Sequence, residues 1–315
     1  MKKVLFATTA LVATAGVAAA DVTFSGYGRF GIIYNDTAAG DSTDITSRFR
    51  LQIDTTAESD GGVTFGARVR IQQNNTDDLQ SINAGPDGTA GTADDFVQNA
   101  GPAGTGINGV RFFARSGGLE VGVGNIFGAI EFMPGQYPID LGLTGLGYDY
   151  TAYNFGADAY SSGGNGAAGS NGVEAIYSAG DLNIHVSASD TNDRVAGHIA
   201  YTFSGWTVAL GLQDSNNAAD TEVTASVGGS IGPADVTLTW ADNGTKGDQI
   251  VLAGRFDVGA ATNIEAYIAD ADNQPDTGYG IDFNHDLGGG TSLRGGIAKR
   301  LSGDTRADLG VRFNF

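Results

Sequence analysis

The chain is 315 residues long and carries 50 glycines, no cysteine, and 36 acidic against 17 basic residues, a net charge of −19. That balance repels nucleic acid and attracts cations, and the lack of cysteine excludes disulfides, thiolate chemistry and cysteine-based metal sites. Glycine is about twice as common as usual, yet no Gly-X-Y period runs through the chain, so collagen is excluded.

The first element is an address. Met1-Lys2-Lys3 is basic, Val4 to Val17 is apolar or small, and Ala18-Ala19-Ala20 sets small residues before Asp21. This predicts a secretory signal peptide over residues 1–20, cleaved after Ala20, with an apolar core shorter than the ~20 residues that span a bilayer. Without Lys2 and Lys3 the balance is 15 basic against 36 acidic side chains, a net −21. No later window holds ~18 consecutive apolar residues. A membrane location therefore requires a closed β-barrel, because only helices and closed barrels satisfy their backbone groups in lipid.

From Asp21 onward, segments of about ten residues alternate apolar with polar or small side chains, the period of a strand with one apolar face. Five such segments (21–34, 44–55, 63–73, 110–115 and 119–125) precede a long interruption. In the first, Val22, Phe24 and Phe30 share one face and Arg29 the other. In the second, Phe49, Leu51 and Ile53 oppose Arg48, Arg50, Gln52 and Asp54. In the third, Val69 and Ile71 oppose Arg68 and Arg70, and in the fourth Val110 and Phe112 oppose Arg111. Closed into a barrel, these strands would line one wall of the lumen with guanidinium groups.

The third and fourth segments are joined by a long loop, residues 74–109. Within it, Gly85-Pro86-Asp87-Gly88 and Thr92-Ala93-Asp94-Asp95 space carboxylates with glycine and small residues. Asp87, Asp94 and Asp95 are candidate oxygen ligands for a structural calcium ion, although the terminal bidentate Glu of an EF-hand is missing. The second interruption, about residues 126–171, is too long for an idle connection. It opens Ile126-Phe127-Gly128-Ala129-Ile130-Glu131-Phe132-Met133 and holds Tyr137, Ile139, Leu141, Leu143 and Leu146, enough apolar surface to pack. It is expected to fold into the barrel lumen and narrow it.

Eleven segments follow: 172–179, 182–189, 194–203, 206–213, 221–231, 235–242, 249–258, 262–271, 277–287, 291–300 and 306–315. With the first five they make sixteen. Alternate connections are short and glycine-rich, the others longer and rich in Asp and Asn, which is the asymmetry of an outer-membrane barrel. His185, His198 and His285 lie inside strand patterns with no serine motif around them, so an enzyme is not expected. In the last segment Leu309, Val311, Phe313 and Phe315 alternate with polar or small residues. This resembles the C-terminal signal, here Phe315, by which bacterial outer-membrane proteins are recognised for assembly.

Several stretches carry a family resemblance: Tyr279-Gly280-Ile281 through Gly288-Gly289-Gly290, Gly295-Gly296-Ile297-Ala298, and the closing Ala307 to Phe315. Val22-Thr23-Phe24-Ser25-Gly26 with Arg29 and Tyr34-Asn35, and Gly118-Leu119-Glu120-Val121-Gly122, add to it. They are similar to general diffusion porins of the alphaproteobacterial, Rhodobacter type, across residues 21–315. The resemblance implies a homotrimer of 16-stranded antiparallel transmembrane β-barrels in the outer membrane of a Gram-negative bacterium. It further implies contact with outer-membrane lipid and lipopolysaccharide, insertion by the barrel-assembly machinery, and no cofactor. Each barrel would hold a passive, water-filled channel for ions and small hydrophilic solutes, narrowed by the third external loop. Carried over, the loop acids are Glu131, Asp140 and Asp149, and the facing wall is Arg29, Arg48, Arg50, Arg68 and Arg111. Opposite charges across a narrow aqueous gap set up a transverse field that favours polar solutes. This loop is poor in acids and rich in Gly and Tyr. The alternative is a substrate-specific channel, for example for sugars, with Tyr137, Tyr148, Tyr150 and Tyr153 as pieces of an aromatic track.

Overall fold

The computed structural model describes residues 20–38, 40–74, 80–83, 96–99, 106–107, 109–155, 171–190, 193–216 and 218–315. The signal-peptide residues 1–19 and the calcium candidates Asp87, Asp94 and Asp95 lie outside them.

Sixteen long strands form the wall. They are β1 (Asp21–Thr37), β2 (Gly40–Glu58), β3 (Thr64–Asn74), β4 (Arg111–Ser116), β5 (Leu119–Asn125), β6 (Asn171–Ala179), β7 (Leu182–Ser189) and β8 (Arg194–Phe203). The remainder are β9 (Trp206–Asp214), β10 (Glu222–Ile231), β11 (Ala234–Asp242), β12 (Asp248–Gly259), β13 (Thr262–Ala271), β14 (Gly278–Gly288), β15 (Thr291–Lys299) and β16 (Thr305–Asn314). Each is antiparallel to its neighbours in sequence, and β16 pairs back onto β1 from Tyr27↔Asn314 to Asp36↔Thr305. The sheet therefore closes and leaves no free edge. A two-residue piece, Gly106–Ile107, adds to β3 beside β4.

Alternation explains the strand positions, and glycine-bearing two-residue turns join them on one rim. Gly117 and Gly118, and Gly289 and Gly290, all have positive φ, the geometry whose twist matches a hairpin. Two connections differ from the sequence expectation. The loop expected between the first two strands is instead an extension of both, with Thr37 paired to Gly40. Its residues, such as Asp36, Asp41 and Ser42, are polar on both faces and so carry no alternation, yet their backbone ladder is complete. The loop over 74–109 also contains strand pairing, Gln80–Asn83 with Phe96–Asn99.

One face of the wall is apolar and bare. Phe24, Ile45 and Phe203 are 62%, 73% and 71% exposed. In water such a surface would aggregate; around a membrane barrel it is the lipid-facing band. No helix among the described residues is long and apolar enough to cross a membrane. The buried apolar core lies elsewhere. Ile130, Leu141, Leu146, Tyr150 and Tyr153, all between β5 and β6, pack with Ala196, Ala241, Ala253, Ala269 and Ala298 from the opposite, polar face of the strands.

Candidate functional site

The segment 126–155 contains no strand and no helix. A buried backbone without regular structure must find other partners for its N–H and C=O groups, and the polar face of the wall supplies them. Glu174 on β6 accepts from Phe127 N at 3.0 Å, and Ser187 on β7 from Ala129 N at 2.9 Å. His198 Nδ1 on β8 meets Ala129 O at 2.6 Å. On β10 and β11, Ser226 and Thr239 donate to Pro134 O and Gly135 O at 2.5 and 2.8 Å. Glu265 on β13 accepts from Asp140 N at 3.0 Å, and Asp282 on β14 from Gly142 N at 2.5 Å. Asp308 on β16 accepts from Leu143 N, Thr144 N and Thr144 Oγ1 at 3.0, 2.8 and 2.7 Å. Arg29 on β1 closes the arc by donating to Leu143 O at 2.7 Å.

Glycine permits this close approach. Gly142 has φ +64°, and a Cβ there would stand 2.5 Å from Asp308 Oδ1. On the wall, Gly31 and Gly310 leave the hollow that Leu143 fills: a Cβ on either would come within 2.8 and 2.6 Å of Leu143 Cδ2. Tyr150 is buried, and burial raises its phenol above the ordinary value.

The arginines form a belt wider than expected. Register sets Arg312 on β16, Arg29 on β1 and Arg48 on β2 side by side. Like charges directly opposite destabilise a sheet, so this row is paid for elsewhere. Asp140 bonds both Arg294 on β15 and Arg312 at 2.7 Å. The Arg312 guanidinium also lies 4.3 Å from the Tyr27 ring centroid. Arg48 donates to Asn74 and Tyr27 at 2.5 and 3.3 Å, and Arg50 to Gln72 at 2.7 Å.

Of the residues singled out from sequence, the structure brings Arg48, Arg50, Glu131 and Asp149 together around one cavity of about 960 Å³. The others sit differently. Arg68 is paired with Asp54 on β2 at 2.6 Å. Arg111, expected on an open wall, is 2% exposed and held between Glu120 and Glu174, each at 2.6 Å. The Phe127 ring covers it at 3.9 Å, so Arg111 anchors the beginning of the segment rather than facing a gap. Asp140 meets Arg294 and Arg312 instead of the arginines named from sequence, and Asp149 meets Arg300 at 3.2 Å. Phe315 pairs its backbone with Gly26 and stacks on Phe49, with ring centroids 5.7 Å apart.

Sequence reasoning missed the wall acids Glu174, Glu265, Asp282 and Asp308. Their signal was present: each is a carboxylate on the non-lipid face in mid-strand, as Asp282 is between Ile281 and Phe283. Such a charge needs a partner that its own strand does not supply.

Comparison with known proteins agrees with this architecture. A family model described as Gram-negative porin matches residues 7–305. The chain is 31% identical over 319 residues to a porin of Fuscovulum blasticum, covering 94% of this chain and 100% of that protein. To a porin of Rhodobacter capsulatus it is 27% identical over 340 residues, with 94% and 100% covered. Among solved structures, a triple mutant of Rhodopseudomonas blastica porin superposes with a TM-score of 0.75 at 27% identity, over 94% of this chain and 100% of that one. The chain belongs to the Gram-negative porin family and is a passive general diffusion channel of the bacterial outer membrane, not an enzyme.

Proposed function

We propose that residues 126–155 lie across the lumen of the channel and narrow it. One observation carries this reading: a single segment bonds to polar-face side chains of β6 and β7, of β13 and β14, and of β16 and β1. A segment outside the closed wall would have to encircle it and would meet the apolar band. The gap left by the segment is bordered by Arg29, Arg48, Arg50 and Arg312, with Glu131, Asp140 and Asp149 on the loop side. Fixed opposite charges across it orient water and polar solutes and exclude apolar ones.

Reversal potential under a salt gradient tests the assignment. The double variant Arg29→Gln, Arg48→Gln should move selectivity towards cations. Asp140→Asn, which releases Arg294 and Arg312 from their shared partner, should move it towards anions. If neither variant shifts the reversal potential, these residues do not border the passage.

The finer points of biogenesis and assembly belong to the same reading. The signal peptide is removed after Ala20, the barrel spans residues 21–315, and the assembly machinery reads Phe315. The barrels act as homotrimers among lipid and lipopolysaccharide. N-terminal sequencing of exported protein and stepwise insertion of channels in threes check the first and last of these. Calcium on Asp87, Asp94 and Asp95 rests on their spacing alone. Trimer melting that rises with added calcium supports it, and melting unmoved by calcium removes it.

A further inference from the structure

We infer that Tyr27 is the positioning residue of the arginine belt, a neutral ring that holds guanidinium groups in place without cancelling their charge and so sets how far the gap favours anions. The inference rests on the reading of the pore given above and names a residue that governs its selectivity.

Strand register places the tyrosine. On β1, Tyr27 lies two residues before Arg29 and therefore on the same face of the wall. It is directly opposite Arg50 on β2 and Asn314 on β16, while Arg48 and Arg312, the two partners of Arg29, are its diagonal neighbours. Diagonal pairs across a sheet are about 7–8 Å apart, within reach of aromatic and long side chains. Tyr27 thus stands among four basic residues, Arg29, Arg48, Arg50 and Arg312.

Three of them close on it. Arg312 Cζ is 4.3 Å from the ring centroid and Arg50 Cζ 5.3 Å, both inside the ~6 Å over which a ring face attracts a cation. Arg48 Nη1 donates to the Tyr27 hydroxyl at the longer distance of 3.3 Å. Neutral amides fix the other side of the same guanidinium groups: Arg312 Nε donates to Asn314 Oδ1 at 3.2 Å, Arg48 Nε to Asn74 Oδ1 at 2.5 Å and Arg50 Nε to Gln72 Oε1 at 2.7 Å. Like charges set side by side repel, and long side chains answer by swinging apart or onto the nearest carboxylate. An aromatic ring attracts cations through its quadrupole but has no net charge, so it offsets part of that repulsion and leaves the positive field intact. Asp140 acts in the opposite sense, holding Arg294 and Arg312 at 2.7 Å by cancelling part of their charge.

The test is the reversal potential of single channels in planar bilayers under a salt gradient at neutral pH, for wild type, Tyr27→Phe and Tyr27→Leu. The three side chains are all uncharged, so a difference between them reports the arrangement of the arginines and not their number. Only inserted, conducting barrels enter the reading, so a misfolded fraction leaves it unmoved. Tyr27→Phe, which loses only the long bond to Arg48, should keep the wild-type potential. Tyr27→Leu should move it towards cations, with the anion-to-cation permeability ratio lower by about twofold, the weight of an exposed cation–π contact. In an Arg312→Gln background the shift from Tyr27→Leu should shrink, because the guanidinium nearest the ring is gone. Equal shifts in both backgrounds would make the two residues independent and overturn the inference. So would a wild-type potential in Tyr27→Leu, or a shift in Tyr27→Phe as large as that in Tyr27→Leu. Should Tyr27→Leu give no channels, Tyr27→Met is read in its place against the same outcomes. The double variant Arg29→Gln, Arg48→Gln separates the two readings. If it leaves the potential unmoved, the pore reading falls and this inference with it; a shift there with none in Tyr27→Leu removes this inference alone.

Discussion

Asp308 takes three hydrogen bonds from Leu143 and Thr144 and is buried between the barrel wall and the segment. Its replacement by alanine would leave the buried Leu143 N–H without an acceptor, at about 1–3 kcal/mol, and the partly buried Thr144 N–H without its own. Asp308→Ala should therefore loosen the segment: hydrogen exchange at Leu143 and Thr144 speeds up, and single-channel current becomes larger and noisier. Wild-type exchange at both amides would contradict the clamp. Tyr150 gives a pH signature. Burial raises its phenol above the ordinary value of 10, so the folded state keeps the proton where the unfolded chain releases it. Its contribution to stability is complete below pH 10 and is lost as pH rises above it. Absorbance titration should find, among 11 tyrosines, at least one that ionises well above pH 10 in the native protein; complete ionisation of the native protein near pH 10 would count against the burial of Tyr150.

At the level of the strand, alternation located the wall well. It reports which face is apolar, and that requirement acts on every spanning residue. It is silent where no face is apolar, which is why the outer part of the β1–β2 hairpin reads as loop although Asp36 and Asp41 pair. The candidate site was legible only in part for a related reason. Arg29, Arg48 and Arg50 could be placed on one face from their own strands, but the partners of the loop acids are distant in sequence, as Asp140 is from Arg312. Period-two patterning contains no term for contacts between segments distant in sequence. It also hid the reversal of roles by which wall acids, Glu265, Asp282 and Asp308, hold the loop backbone. The seam between β16 and β1 belongs to this scale too. Gly26 and Phe315 exchange backbone bonds at 2.9 and 3.1 Å, and Phe313 lies over Gly28, where a Cβ would fall 2.3 Å from the ring. Gly28→Val should displace that ring and slow barrel closure, seen as slower folding into liposomes; an unchanged rate would show that the seam tolerates bulk.

Across the whole molecule, the net charge of −19 and the arginine belt point in opposite directions. Acids on exposed loops are screened within ~8 Å at physiological salt, so in the proposed constriction the field would follow the residues that border it. On the proposed reading the protein is acidic overall and locally cationic, and solute preference follows a few wall arginines and the acids of the segment that the wall anchors. That anchoring also explains the inverted core, in which, among the described residues, segment 126–155 holds most of the large buried apolar side chains and the strands keep theirs for lipid.

The most direct test of the segment's place uses the lack of native cysteine. Single variants Glu131→Cys and Tyr148→Cys, inserted in planar bilayers, are exposed to a positively charged and then a negatively charged thiol reagent while single-channel current is recorded. Attachment should lower the current in discrete steps and shift the reversal potential with the sign of the reagent. Labelling proved by mass, with current and reversal potential unchanged, would place the segment outside the conducting path and contradict the account.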